Sequence, residues 1–357
     1  MDINKEVIKN NRLVRHGYYL FRGLTQRERL KAKAAKTLCR FGVHFSTEDE
    51  KSQQISDMIR MNTMYGYSFE EYLYYHFSEK NRQERKEFVA DWEHLGYTCA
   101  MNKFSNACIF DNKWNTVQKY KKYYRRAVAI CGRSNELDDK DGFVRFVSEH
   151  PDFIVKPINE SCGHGVKIYH INDFESVEAL YDEIIHKIGS IFIVEELIQQ
   201  TKDMKKYHPA SVNTVRVPTI TIGEHVKVIH PFFRIGQHGN CVDNGGAGGI
   251  ICALDVDQGT ILAAADEYGN QYTTHPDTGT MIIGQTIPRW QEAKDLVAEL
   301  AKIVPDNHYT GWDLALTDMG WVLVEANRRG QFIWQIPTQV GFRKEINRIL
   351  KQLNVRY

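Results

Sequence analysis

The feature that most constrains this chain is a succession of short β-rich runs with no helix between many of them. From Phe153 onward FIVKP (153–157), VKIYH (166–170), IFIVEEL (191–197), VRVPTITI (215–222), VKVIHPFF (226–233), IICALDV (250–256), WDLALT (312–317) and WVLVEAN (321–327) are bounded by Gly, Pro and Asn. Strands that often follow one another without a helix between argue against a wholly parallel, doubly wound sheet. Helical stretches fall at about 174–188, 289–303 and 337–353, the second carrying Ala293, Leu296, Val297, Leu300 and Ala301 at core spacing. Mixed sheets with helices segregated to their faces make the expected class α+β rather than a doubly wound parallel sheet.

The first 98 residues have a different texture, rich in Lys, Arg, Glu and Tyr and nearly empty of Val and Ile runs. They predict helices. Ser68 with Glu71 forms a capping box ahead of Phe69, Tyr72, Leu73, His76 and Phe77, and Asn81 with Glu84 opens a second helix expected to reach about Leu95. Those aromatics suit a packed core stripe better than a ligand platform. The chain thus divides into a helical region over 1–98, where substrate choice is expected to reside, and a larger body over 99–357. That body splits further into about 150–210 and 211–357.

Charge and apolar content narrow the function classes. The chain has 46 Lys and Arg against 45 Asp and Glu, and 42% apolar residues, values of a folded protein rather than a disordered one. No apolar run approaches the ~18 residues of a membrane helix, and MDINKEVIKNNR lacks the apolar centre of a signal peptide, so a cytoplasmic location is expected. Seven cysteines without a C-x-x-C pair predict reduced thiols, with only Cys162 in a candidate functional loop. Residues 1–150 hold 27 basic and 20 acidic side chains and residues 151–357 hold 19 and 25, an asymmetry that suits an anionic partner for the first half and metal-holding carboxylates in the second. Unrelated solvated faces would give the same count.

Three constellations carry chemistry. In GWDLALTDMGWVLVEANRR, a turn over Thr317–Gly320 brings Asp313 opposite Glu325, and the period-two alternation puts Asn327 on the same face as Glu325. Two carboxylates and an amide oxygen are hard ligands suited to Mg²⁺ that keeps waters and phosphate oxygens. In FIVKPINESCGHGVKIY, Lys156 precedes a loop with Ser161, Gly163, His164 and Gly165, whose small residues let backbone N–H groups approach phosphates. The lysine comes before the glycines, so this is not a Walker A loop, and by itself it also reads as a plain tight turn. In IFIVEELI, the strand runs into Glu195, Glu196, Leu197 and Ile198, which can offer backbone groups to an adenine edge and apolar walls to its ring, or be an ordinary core strand with two surface acids.

Taken in order, a lysine before a Gly-rich hairpin, a V-E-E-L-I segment about 40 residues on and D-x(11)-E-x-N near the end resemble the ATP-grasp ligases, over about residues 100–350. SVNTVRVPTI, FFRIGQHGNCVDNGGAGGI and LDVDQGTIL resemble the branch found with polysaccharide and sugar-transfer genes. The resemblance implies an ATP-grasp fold of two α+β subdomains clamping ATP, with Lys113 and Lys156 on the α- and β-phosphates and the 161–165 loop over the β- and γ-phosphates. It further implies that the backbone of Glu196 and Ile198 reads adenine and that Asp313, Glu325 and Asn327 hold one or two Mg²⁺ ions. Arg329, in E-x-N-x-R-x-Q, stands where carboxylase-type members keep a catalytic arginine, and Arg216 and Arg234 are candidates for the γ-phosphate or a substrate carboxylate.

Departures are visible too. The acid that the family usually places on the ribose soon after the V-E-E-L-I segment is not evident, and Gln199, Asp203 or His208 could serve in its place. Gly311 replaces the arginine that peptide-type ligases place before the first metal carboxylate. The activity implied is an ATP-dependent carboxylate–amine ligase working through an acyl phosphate on a uronic-acid-type sugar or similar small carboxylate in surface polysaccharide synthesis. A small-molecule or sugar kinase of the same fold, and a non-catalytic nucleotide-binding protein, are the alternatives. No histidine pair has helical metal-binding spacing, and the basic aromatic run KWNTVQKYKKYYRRAV (113–128) reads as a helix lining an anionic cleft, with no nucleic-acid module beside it.

Overall fold

A computed structural model describes residues 11–133, 139–160, 164–189, 191–239 and 248–355. The elements used below are helices α1 (Arg12–Thr25), α2 (Arg27–Arg40), α3 (Glu48–Tyr65), α4 (Phe69–Tyr74), α5 (Arg82–Glu87), α6 (Asp91–Met101), α7 (Lys113–Tyr124), α8 (Lys140–Glu149), α9 (Val177–Ile188), α10 (Trp290–Lys302) and α11 (Arg343–Gln352). The strands are β1 (Val128–Gly132), β2 (Asp152–Pro157), β3 (Lys167–His170), β4 (Ile191–Glu196), β5 (Val215–Ile222), β6 (His225–Val228), β7 (Phe232–Ile235), β8 (Ile250–Leu254), β9 (Ile261–Ala265), β10 (Tyr309–Thr317) and β11 (Gly320–Asn327).

Two sheets result. A four-stranded sheet runs β1-β4-β2-β3 and a seven-stranded one runs β11-β10-β5-β7-β8-β9, with β6 added on β5. The pairings of both sheets are antiparallel. The α+β class expected from strands that follow one another without a helix between holds, and the sheets are antiparallel rather than mixed.

The small sheet packs α8 and α9 against Phe153, Val155, Phe192 and Val194. The large sheet is covered on both faces, which explains why β5, β7 and β8 are buried at nearly every position. Adjacent residues alternate between the two layers. Phe233, Cys252 and Ala264 face the core that includes α10, whereas Phe232, Ile251 and Ala265 pack with the N-terminal helices through Leu30, Met58, Phe69 and Trp92. Each such fully buried side chain contributes on the order of 1.5–3 kcal/mol, so the helical region is a structural layer of the large sheet and not an appendage.

Several expectations are corrected by local geometry. The helix expected from Asn81 to Leu95 is two helices, because Phe88 and Ala90 are extended and Val89 N donates to the buried Gln335 side chain at 2.8 Å. VKVIHPFF forms two strands because His230, before Pro231, takes φ +44°. The 113–128 helix stops at Tyr124, where Arg125 turns left-handed, and the chain enters β1. The third expected helix begins only at Arg343, after a single turn over Gln335–Thr338. Both capping boxes, at Ser68/Glu71 and Asn81/Glu84, are formed.

Close packing at the α5–α6 link sets one test. A Cβ on Gly341 would lie 2.2 Å from the Glu87 carbonyl carbon, a backbone atom that cannot rotate away. We predict that Gly341→Ala lowers stability by about 1–3 kcal/mol in urea unfolding, the usual scale of overpacking. An unchanged midpoint would mean that this contact is not tight in solution.

Candidate active site

A cleft of about 300 Å³ lies between the sheets, walled by Ile154, Lys156, Val166, Ile168 and the Glu195–Gln200 segment on one side and by Arg234, Asp313, Val324 and Glu325 on the other. Hairpin geometry positions the second wall. Thr317 pairs with Gly320 across a two-residue turn, and Asp313 pairs with Glu325 just before a register shift at Leu314. Asn327 lies opposite Gly311, and its side-chain amide is 3.4 Å from Asp313 Oδ2. The three acceptors therefore sit together as their spacing requires.

The electrostatics of that group differ from those of a bare metal site. Asp313 is buried and receives Arg216 Nε on Oδ1 and Nη2 on Oδ2, each at 2.5 Å, while Arg234 Nη2 approaches Oδ2 at 2.9 Å. Burial alone would raise its pKa, but the two guanidinium groups more than offset this and hold the carboxyl below the usual aspartate value. Arg216 and Arg234 are thus positioned by Asp313. Oδ2 already faces both arginines and the Asn327 amide, so the acceptor capacity that the clamp leaves lies on Oδ1. Glu325 is the accessible acid, with a side chain 39% exposed and Lys113 Nζ at 3.9 Å. Burial pushes the Lys113 ammonium down, against the opposing pull of Glu325. Lys113 also donates to the Glu160 carbonyl.

The first wall is organised by Glu195. Its buried carboxylate accepts from Lys156 Nζ at 2.9 Å and from Arg126 Nε and Nη2 at 2.8 and 2.5 Å. Burial would again raise its pKa, and the two cations together bring it below the usual glutamate value. The Glu195 side chain is therefore committed to orienting Lys156. Beyond Glu196 the chain leaves β4, so the peptide groups of Leu197 and Ile198 are outside the strand and beside the apolar Ile154, Val166 and Ile168.

Other candidates fall into place unevenly. Ser161, Cys162 and Gly163 lie outside the described residues. His164 is exposed and Gly165 sits at φ +69°, where a Cβ would meet Pro157 Cγ at 2.7 Å; neither is in the cleft wall. Gln199 lines the cleft, whereas buried His208 bonds Ser211 and Asp203 is not in the lining. Arg329 is half-buried near the end of the β11 segment and is not in the lining.

The sequence predicts that the 113–128 run lines the cleft without singling out Tyr124 or Arg126, and it misses Lys205 and Thr214. Arg126 follows from the R-R-A-V entry into β1, a signal hidden while that stretch was read as helix. Counting cleft walls and the residues bonded to them, the cations Lys113, Lys156, Lys205, Arg126, Arg216 and Arg234 outnumber the carboxylates Glu195, Glu196, Asp313 and Glu325. The surplus favours an anion, and a divalent cation fits only in company with one.

The family described as sugar-transfer associated ATP-grasp matches residues 94–351. Among solved structures, the ATP-grasp ligase PsnB complexed with minimal precursor, Mg and ADP is 16% identical with a TM-score of 0.43, covering 74% of this chain and 67% of that one. The D-alanine–D-alanine ligase from Helicobacter pylori is 13% identical with a TM-score of 0.43, covering 71% and 62%. No curated protein sequence matches this chain.

The Glu195 cluster yields a stability prediction. Glu195→Gln leaves Lys156 and Arg126 buried without an anion and should cost about 3–5 kcal/mol in equilibrium unfolding. Because folding lowers the Glu195 and Asp313 pKa values, their contribution is fully present above the unfolded-state values of about 4 and is lost as pH falls through the lower folded values. Stability of the Glu195→Gln variant should accordingly fall less than that of the parent between about pH 5 and 2; identical acid profiles would contradict the assignment.

Proposed function

The chain belongs to the sugar-transfer associated ATP-grasp family, and from that premise we propose that it is an ATP-dependent carboxylate–amine ligase with its nucleotide in the inter-sheet cleft. The observation that carries this reading is the convergence of Lys113 and Lys156 from one side with Glu325 and the Arg234–Asp313 pair from the other. Adenine lies against Ile154, Val166 and Ile168 with its edge on the peptide groups of Glu196 and Ile198. Gln199 is placed for the ribose, and the two lysines take the α- and β-phosphates.

Glu325, Asp313 and Asn327 would hold Mg²⁺, which neutralises charge on the transferring phosphoryl group when bound. The remaining chemistry belongs to the chain's own side chains. A substrate carboxylate oxygen attacks the γ-phosphorus as the bond to the β-phosphate oxygen breaks, giving ADP and an acyl phosphate. Arg234 and Arg216, fixed by Asp313, offset the negative charge that builds during this step. An amine nitrogen then attacks the acyl carbon, phosphate departs and the amine loses a proton. The acceptor proposed is a uronic-acid-type sugar or a similar small carboxylate of surface polysaccharide synthesis, with the helical layer contributing to its selection.

The test is an ADP-release screen of carboxylates crossed with amines, followed by mass analysis. An amide with stoichiometric ADP is expected, while a phosphate ester would assign the chain to the kinases and no turnover with any pair would leave a nucleotide-binding protein. Glu325→Gln, a half-exposed change that leaves the fold intact, should reduce ADP release on the order of a hundredfold. Thermal shift supplies a further check: Mg²⁺ alone should leave the melting temperature unchanged, whereas MgATP should raise it.

A further inference from the structure

A second cavity, of about 1040 Å³, opens among the N-terminal helices and shares no lining residue with the cleft. Its walls come from α1, α3 and α5, with Arg343 entering from α11. The basic floor is held rigidly. Asp57 receives Arg60 Nη2 at 2.6 Å and Arg85 Nη1 at 2.7 Å, Arg85 Nε is fixed on the Lys80 carbonyl at 2.8 Å, and both terminal nitrogens of Arg343 lie 2.6 Å from Glu93.

Those two acids do not balance the site. Lys80 meets the Gln339 amide oxygen at 2.9 Å and lies over the Phe88 ring, with Glu79 and Glu84 the acids that act on its charge, and among the described residues no carboxylate pairs with Arg12, Arg82 or Lys86. Seven cationic side chains thus line one basin in which Glu93 is the lining carboxylate and Asp57 pairs with Arg60 and Arg85, a surplus of positive charge that attracts an anion. Along one side Leu13, Met61, Met64 and Trp92 provide an apolar wall, with the Trp92 indole held by the Tyr65 carbonyl at 3.1 Å. Arg343 is engaged by Glu93 and the Lys86 and Phe88 carbonyls, so paired hydrogen bonds to phosphate oxygens fall to the other guanidinium groups of the basin, and an aromatic wall accepts a ring or apolar group.

We propose that this basin is a second binding site, for a soluble small molecule that carries a diphosphate or an equivalent pair of anionic groups joined to an apolar or ring portion. The site stands on its own residues and does not depend on what occupies the inter-sheet cleft. In this chain it gives the helical layer a recognition role as well as a packing one.

Titration of inorganic pyrophosphate into the full chain without magnesium tests the proposal, followed by calorimetry and thermal shift. Saturable binding is expected in the parent and in Lys113→Ala, which weakens the cleft. The combined change Arg12→Gln, Arg82→Gln and Lys86→Gln touches only exposed rim residues and should weaken pyrophosphate by tenfold or more while MgATP stabilisation is retained. Binding in the parent should also weaken as salt rises. The proposal is overturned if the rim variant binds pyrophosphate as the parent does, if Lys113→Ala abolishes binding, if pyrophosphate does not bind at all, or if only vesicles containing phosphatidylglycerol are bound.

Discussion

Arg126 is the side chain on which the arrangement of the cleft depends. Two of its nitrogens close on the Glu195 carboxylate of the small sheet, and Nη1 donates to the Leu323 carbonyl of the large sheet at 2.7 Å. One buried guanidinium thus ties the two sheets and, through Glu195, sets Lys156 between them. A lysine in its place could offer one point charge but not this planar fork. The walls of the cleft are consequently joined at the end where β4 gives way to Leu197, while Glu325 stays accessible on the facing sheet.

The opposite wall uses the same device in a second copy of the logic. Asp313 does for Arg216 and Arg234 what Glu195 does for Lys156 and Arg126: a buried acid, kept ionised by cations, fixes those cations where an anion can use them. Buried ion pairs of this kind are poor sources of net stability compared with apolar packing of equal volume. In this chain they hold Lys156, Arg216 and Arg234 in fixed orientations along the cleft. The stabilising apolar burial lies elsewhere, in the α10 core and in the helical layer on the far face of the large sheet.

Much of this was legible in the residues. Period-two alternation and a two-residue turn were enough to bring Asp313, Glu325 and Asn327 together, because strand pairing is a local consequence of hairpin geometry. The capping boxes at Ser68 and Asn81 were equally local. What escaped reading was tertiary: Val89 and Gln335, distant in sequence, break a helix that propensity would have continued, and β1 was hidden because its basic approach continues the polar texture of α7. The pairing of Asp313 with arginines from β5 and β7 could not be read from the C-terminal hairpin, since it depends on which strands become its neighbours. Likewise the basic basin draws Arg12, Arg60, Arg82 and Arg343 from four separate helices, and the charge asymmetry of the first half gave only its sign.

The central claim is that nucleotide sits between the sheets, and hydrogen–deuterium exchange with and without MgATP tests it most directly. Slowed exchange is expected in the Glu196–Gln199 segment and around Val166 and Ile168, with α1 to α3 unaffected. Unchanged exchange at these cleft residues under saturating MgATP, or protection confined to the N-terminal helices, would contradict the account.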